Sequence, residues 1–277
     1  MKDAANPLTD EQIQTFQRDG VLCVRGVIDL DTCKRMEEAC LRLADDPSEH
    51  ISRRWAGVAR PPRGHERIGM ALSLDQFREY AFESPLPRLA GALMNTPTVR
   101  YFYDQMFIKI HRGTGEFDGT STAQMATPWH QDLPYWPFDG ADILSIWVPF
   151  RPVPRDASGL EYVARSHRDP DLYTPFGLKS LRNTVDAPDM DAIRAAEPER
   201  FLSWDMEPGD CLIHHPRTLH RSTSNAGEND RVAVSVRYLG RDAIYAPDTI
   251  EDLWYPEDIE IGDRGAPVDP HFFPALG

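Results

Sequence analysis

One residue separates His130 from Asp132 in the run Thr127-Pro128-Trp129-His130-Gln131-Asp132-Leu133-Pro134-Tyr135-Trp136. On an extended strand, side chains two apart share a face, so an imidazole and a carboxylate project together. These are two of the three groups of the two-histidine, one-carboxylate facial triad, which holds iron(II) and leaves coordination positions open for reactants. The same spacing recurs at His167-Arg168-Asp169, so spacing alone does not choose between them. The second copy follows Ser166 and runs into Asp169-Pro170-Asp171, where aspartate is most simply a turn former. The first copy sits among Trp129, Leu133, Tyr135 and Trp136, at a strand start facing an aromatic wall. We therefore take His130 and Asp132 as ligands and His167 as part of a surface turn.

A third ligand must come from elsewhere, and His214, His215 and His220 are the neighbouring candidates. His214 and His215 are consecutive, so on a strand they face opposite ways, and at least one of them belongs to core or surface. His220 lies at the end of the same segment, before a turn containing Asn225 and Gly227. Arg231-Val232-Ala233-Val234-Ser235-Val236-Arg237-Tyr238 then alternates strictly, with valines on one face and Arg231, Ala233, Ser235 and Arg237 on the other. Two arginines on a face of small residues suggest a lumen holding an anion. A histidine at a barrel mouth and an arginine deeper in the lumen could grip the two ends of one short dianion. For Arg237 the plainer reading is a structural ion pair.

The elements that position these residues can be read in order. Leu8-Thr9-Asp10-Glu11-Gln12-Ile13 opens a helix with a Thr9 cap, a Gln12 capping box and a Leu8 to Ile13 staple, and Gly20 ends it. Residues 21–28 read as a buried strand, and Asp31 as the cap of a second helix with Met36, Cys40 and Leu43 at helical spacing. Residues 45–70 form a polar, arginine-rich loop, and 73–94 return to helical pattern in two pieces broken by Pro85 and Pro87. Strands follow at 99–110, 143–150, 159–163 and 211–215, the last started by the turn Glu207-Pro208-Gly209-Asp210. Residues 169–200 read as a crossover or lid with little regular structure, and 242–277 as an extended arm on the body or at a subunit contact. Short strands after helices confined to the first third predict a mainly β protein, a jelly roll with N-terminal helices buttressing one sheet. We expect one domain over 1–277, with a mostly helical region at 1–97, a β core at 98–240 and a C-terminal arm at 241–277.

Composition narrows the function classes. Thirty Lys and Arg against 44 Asp and Glu give a net charge of −14, which repels a phosphate backbone, so nucleic acid is not an expected partner. No apolar run is long enough to span a bilayer and the N-terminus carries no signal-peptide pattern, so a soluble cytoplasmic protein, monomer or homodimer, is expected. Cys23, Cys33, Cys40 and Cys211 lack metal or redox spacing and read as structural thiols.

Taken together, Trp129-His130-Gln131-Asp132-Leu133-x-Tyr135-Trp136, the later Trp147, Gly159-Leu160 leading to Ser166-His167, Pro208-Gly209-Asp210, and His215-Pro216-Arg217-x-x-His220-x-Ser222-x-x-Asn225 with Arg231 resemble the phytanoyl-CoA dioxygenase family. This is a branch of the iron(II) and 2-oxoglutarate dependent oxygenases. The resemblance runs from Tyr101 to Tyr238 in unbroken order. It implies a double-stranded β-helix of cupin type, with iron held by His130, Asp132 and His220 as the catalytic centre and dioxygen as co-reactant. It also implies a 2-oxoglutarate site in which the distal carboxylate meets Arg231 and Ser222, Trp147 lines the pocket, and Lys109 or Gln105 adds a contact. Ile110-His111-Arg112 departs from the prolines often found after that lysine. With Asp132 present, hydroxylation of an unactivated C–H bond in a small organic metabolite, releasing succinate and carbon dioxide, is favoured over halogenation. Desaturation and ring formation remain possible outcomes.

Gln131, Tyr135, Trp136 and Phe138 are the candidates for the substrate side of the metal. Arg53, Arg54, Arg60, Arg63 and Arg67 form a cluster whose plain reading is a solvated loop and whose functional reading is an anionic head-group site. Two other classes stay open on sequence grounds: a metal-dependent cupin-like isomerase or hydrolase that does not use 2-oxoglutarate, and a non-catalytic ligand-binding relative.

Overall fold

Valines alternating with small or cationic residues give a strand two different environments to satisfy, and the structure provides both. A computed structural model describes residues 7–45, 66–111, 126–174, 184–246, 262–270, 273 and 275–276. Its helices are α1 (Asp10–Asp19), α2 (Leu30–Asp45), α3 (Asp75–Glu83), α4 (Leu86–Leu93) and α5 (Met190–Ala196). Its strands are β1 (Val21–Val24), β2 (Glu66–Ile68), β3 (Val99–Lys109), β4 (Thr127–His130), β5 (Phe138–Asp139), β6 (Ile143–Pro149), β7 (Leu160–Val163), β8 (Leu172–Tyr173), β9 (Thr184–Val185), β10 (Phe201–Ser203), β11 (Cys211–His214), β12 (His220–Ser222), β13 (Arg231–Leu239), β14 (Ile244–Tyr245) and β15 (Ala275–Leu276).

A seven-stranded sheet runs β1-β11-β6-β13-β3-β15, with β2 also on β3, and faces a four-stranded sheet ordered β10-β7-β12-β4. The pairings within both sheets are antiparallel. Val232, Val234, Val236 and Tyr238 of β13, with Leu144, Ile146 and Val148 of β6, turn outward into one core with Met36, Leu43, Phe77, Tyr80 and Leu89 of the helices. Their neighbours in sequence turn inward: Trp147, Leu212 and Ala233 meet Tyr162 of the small sheet. This is the expected jelly roll with helices on one sheet.

Several local expectations hold. Thr9 accepts from Gln12 N while Gln12 Oε1 accepts from Thr9 N at 2.8 Å, completing the capping box. Gly20 closes α1 in the left-handed region at φ 75°. Leu8 is buried and Ile13 packs on the same core, as the staple requires.

Other expectations need correction. The cap of α2 is Asp29, not Asp31: its carboxylate accepts from Thr32 N at 2.8 Å, two residues earlier than the sequence suggested. Strand β1 stops at Val24, because the amides of Val27 and Ile28 turn away to the carbonyl of Gly209, at 2.9 and 3.1 Å. Within the stretch read as having little regular structure, α5 was missed; Asp189 accepts from Asp191 N and Ala192 N and nucleates it. The stretch Asp189-Met190-Asp191-Ala192 carried that signal. The arginines at 53–63, and Trp254, Tyr255 and Phe272 of the arm, lie outside the described residues, as does the side chain of Arg67. Phe273 is buried, and β15 forms an edge strand on β3.

Candidate metal centre

Strands β4 and β12 pair so that His130 stands opposite His220, and their ring centroids are 4.2 Å apart. Asp132 joins them by a route that differs from the expected strand alternation. Strand β4 ends at His130, and Asp132 has helical dihedrals (φ −76°, ψ −34°) at the head of a 3₁₀ turn over Leu133–Tyr135. The carbonyl of Pro216 accepts from both Asp132 N (2.8 Å) and Leu133 N (3.0 Å), which fixes the turn against the segment leading to His220. The carboxylate therefore arrives from a turn rather than from a pleat.

The three groups converge. Asp132 Oδ1 is 3.6 Å from His130 Nε2 and 3.8 Å from His220 Nε2. Ligand atoms each about 2.1 Å from a common ion lie about 3–4 Å from one another, so the set fits a divalent metal. Tautomers agree with that fit. His130 Nδ1 lies 2.8 Å from Pro128 O, and His220 Nδ1 lies 2.9 Å from Thr218 O. A carbonyl only accepts, so each Nδ1 carries the proton and each Nε2 presents its lone pair to the centre. Burial pushes His220 well below the ordinary histidine value, which keeps it a neutral donor. Burial alone would raise Asp132, but its contacts with His130, His214 and His220 and the charge of Arg237 hold it well below the usual carboxylate range.

The other oxygen of Asp132 is held from behind. Its Oδ2 is 3.4 Å from His214 Nε2 and 3.4 Å from Ser145 Oγ. His214 Nδ1 in turn lies 3.3 Å from the hydroxyl of Tyr162. Burial lowers His214, so it is neutral, and the chain runs one way: Tyr162 O–H donates to Nδ1, and Nε2–H donates to the carboxylate. Of the three histidines considered for the third position, His220 stands with His130 and Asp132 in a group that could hold a metal, and His214 supports Asp132. His215 faces elsewhere, accepting from Arg217 N at 3.2 Å, with its ring 5.8 Å from that of His167. His167 itself lies in a 3₁₀ turn over Ser166–Arg168, where its Nε2 is 3.3 Å from Gln17 O. Sequence reasoning missed Ser145 and Tyr162 because nothing in a strand's own pattern says which inward residue meets a turn from another sheet.

Along the inner face of the large sheet, Arg231 pairs in register with Lys109, Ser235 with Gln105, and Arg237 with Tyr103. At the Arg231 end, Lys109 Nζ donates to Ser222 Oγ (2.6 Å) and to Thr223 O (2.9 Å). Arg231 donates to Ser158 O at 2.7 Å, and its guanidinium lies 5.6 Å from the centre of the Trp147 ring. The structure therefore groups Arg231, Lys109, Ser222 and Trp147. Gln105 stands apart from them: its Oε1 accepts from Arg237 at 2.9 Å. No ion pair joins Arg237 to a carboxylate among the described residues, so the structural-pair expectation does not hold.

The residues expected on the substrate side divide. Gln131 is buried and its amide is engaged at both ends, donating to Arg217 O and accepting from Tyr173 N, each at 2.9 Å. Trp136 and Phe138 belong to an aromatic core with Phe102, and Trp136 Nε1 donates to the Tyr103 hydroxyl at 3.1 Å. These three hold the shell of the site. Tyr135 alone stays half-buried beside the centre, its ring 6.4 Å from that of His130.

Comparison with known proteins gives the same direction. The family model for phytanoyl-CoA dioxygenase matches residues 16–233. A probable phytanoyl-CoA dioxygenase of Caenorhabditis elegans is 29% identical over 146 residues, 50% of this chain and 45% of the relative, so the match spans less than half of that protein. The peroxisomal phytanoyl-CoA dioxygenase of Rattus norvegicus is 22% identical over 274 residues, 94% of this chain and 77% of its own. Among solved structures, the epimerase SnoN, in complex with Fe3+, alpha ketoglutarate and nogalamycin RO, superposes with a TM-score of 0.70 at 23% identity, covering 96% of this chain and 98% of its own.

Proposed function

The chain belongs to the phytanoyl-CoA dioxygenase family, within the iron(II) and 2-oxoglutarate dependent oxygenases, and on that premise we propose that it oxidises an unactivated C–H bond of a small organic molecule, with conversion of 2-oxoglutarate to succinate and carbon dioxide. The observation that carries this reading is the convergence of His130, Asp132 and His220 in a lumen whose wall also bears Arg231, Lys109 and Ser222. Iron(II) bound there would couple decarboxylation of the 2-oxo acid to the use of dioxygen. The chain's own residues do the rest. His130 and His220 present neutral nitrogen donors, Asp132 supplies the charge, and His214 with Ser145 keeps its second oxygen turned away from the centre. Arg231 binds the distal carboxylate of 2-oxoglutarate, because a planar guanidinium holds a carboxylate bidentately. The Lys109 to Ser222 hydrogen bond aims the serine hydroxyl at the same group. The walls of Trp147 and Tyr162 exclude water from the reacting carbons.

Hydroxylation is the outcome we assign first. The structural likeness to an epimerase supports a second reading, in which hydrogen abstraction is followed by return of a hydrogen atom to the opposite face, an external reductant supplying the two electrons that hydroxylation would take from the substrate. Succinate formation that requires iron(II), dioxygen and 2-oxoglutarate together tests the common part. Mass spectrometry of the product derived from the oxidised molecule under 18O2 separates the branches: one added 18O means hydroxylation, and an unchanged mass with altered chirality means epimerisation. No succinate under any of these conditions, with or without added metabolites, would count against both.

A further inference from the structure

Arg237 is a cation that the chemistry described so far does not use. Its side chain is 4% exposed and faces the lumen, level with Ser145, the residue whose hydroxyl reaches Asp132. Its hydrogen bonds are one firm contact, from Nη2 to Gln105 Oε1 at 2.9 Å, and one long contact, from Nη1 to Ser235 O at 3.4 Å. Its Nε is buried and has no acceptor among the described residues. The guanidinium lies over the ring of Tyr103, 4.4 Å from its centroid, which fixes its plane without neutralising it. A buried, permanently charged group with an unanswered donor is costly unless a ligand completes it.

Position separates this arginine from the cosubstrate anchor. Arg231 and Arg237 point to the same side of β13, and at about 3.3 Å per residue their backbones are about 20 Å apart. Arg231 is level with Lys109, which bonds Ser222 beyond His220; Arg237 is level with Ser145 beside Asp132. The ligand set thus lies between the two arginines. One short diacid chelated at that centre cannot reach both. The carboxylates of Asp132 and Asp104 feel the charge of Arg237 through space, but neither touches it, and Asp104 is already bonded to Tyr101 and Ala71. Among the described residues no salt bridge relieves Arg237.

Resting on the 2-oxoglutarate reading above, we propose that Arg237, with Gln105 as its support, is the recognition site for a carboxylate carried by the molecule to be oxidised. The acid docks on the Nε edge of the guanidinium, which carries the unanswered N–H. Gln105 keeps the fork in place from the other side, and the carbon chain of the substrate then extends from Arg237 toward the space beside His130 and Tyr135. The family resemblance assigned Gln105 to 2-oxoglutarate; its bond to Arg237 moves it to the substrate.

The test uses the full-length protein, loaded anaerobically with iron(II) and 2-oxoglutarate, and matched probe pairs: acetate with acetamide, hexanoate with hexanamide, benzoate with benzamide. Binding is read by calorimetry and by perturbation of the visible iron–2-oxoglutarate band. At least one carboxylate is expected to bind where its amide does not, and Arg237→Gln weakens that binding by about tenfold or more, the loss of a charge-assisted bond. Its affinity for 2-oxoglutarate changes by less than about twofold, as befits a distant site. Arg231→Gln gives the reverse pattern. Arg237→Lys, which keeps the charge, holds an intermediate affinity and serves if the glutamine variant fails to fold. The proposal is overturned if no carboxylate outbinds its amide, if Arg237→Gln leaves the difference intact, or if it weakens 2-oxoglutarate by the same factor. Absence of the visible band would instead strike at the 2-oxoglutarate reading, while calorimetry with the manganese(II)-loaded protein still reports on Arg237.

Discussion

His214 Nε2 stands 3.4 Å from Asp132 Oδ2, on the oxygen opposite the one that faces His130 and His220. The carboxylate proposed as a metal ligand is thereby oriented by a histidine outside the proposed ligand set. A support of this kind fixes which oxygen is offered to the metal and how freely the carboxylate turns. Replacing His214 by phenylalanine keeps a ring in the core and removes the donor. We expect iron(II) affinity to fall by about 10–100-fold with far-UV circular dichroism unchanged. Anaerobic calorimetry measures it, and affinity equal to wild type would mean that Ser145 alone orients Asp132.

Removing a ligand should be more severe. His130→Ala and Asp132→Ala are expected to abolish succinate formation, since two remaining ligands neither hold the metal nor order the open positions. His167→Ala, in the second His-x-Asp copy, should leave succinate formation nearly intact, because its ring contacts Gln17 O and not the centre. Equal loss in all three variants would remove the distinction between the two copies.

Arg231 is expected to act on cosubstrate binding rather than on the metal. Arg231→Gln should raise the dissociation constant for 2-oxoglutarate by about tenfold or more, the loss of a charge-assisted bidentate pair. Iron(II) affinity should stay within about twofold of wild type. A titration of the visible band against 2-oxoglutarate gives the first quantity, and calorimetry the second. Parallel loss of both would indicate that the lumen wall, not a contact, was damaged.

The N-terminal unit is tied to the sheet through Gly209. This residue has φ +88°, and a Cβ there would meet the Ile28 carbonyl, while its own carbonyl accepts from Val27 and Ile28. Gly209→Ala therefore combines a left-handed penalty of about 1–2 kcal/mol with a backbone clash. Each kcal/mol lowers the melting temperature of a chain this size by about 2–4 °C, so a fall of several degrees is expected by calorimetric scan. A change of less than about 1 °C would show that the loop relaxes freely.

Acid should destabilise the metal-free protein through buried imidazoles. Burial, with help from the charges of His167 and Arg217, lowers His215 from 6.5 to about 3. Between those values the unfolded chain binds a proton that the folded chain refuses, so its contribution is complete above the unfolded pKa and is lost as pH falls toward the folded one. One such proton gives a slope of about 1.4 kcal/mol per pH unit. Asp104 works in the opposite sense, because burial raises its carboxyl from 3.8 to about 6. Comparison with His215→Gln isolates the histidine: urea unfolding of the variant should lose stability less steeply than wild type below about pH 6. Identical slopes would mean that His215 takes up its proton in the folded state.

By itself the sequence determined the parts whose information is local. The capping box at Thr9 and Gln12, the glycine stop at Gly20, the period of two along 231–238 and the helix-to-strand change near Thr98 are properties of contiguous residues, and each led to the right element. The order of motifs from Trp129 to Arg231 was enough to name the family, and the histidine it pointed to, His220, is the one that stands with His130 and Asp132. Tertiary structure alone decided how Asp132 arrives, because the anchor for its turn is a carbonyl at Pro216, far along the chain. It also decided that Gln131, Trp136 and Phe138 build the shell, that His214 and Ser145 hold the carboxylate, and that Gln105 serves Arg237. Strand periodicity tells which face a side chain takes, but not its register against a strand of the other sheet. Those partners are set by pairing between segments distant in sequence, so only the two folded sheets could reveal them.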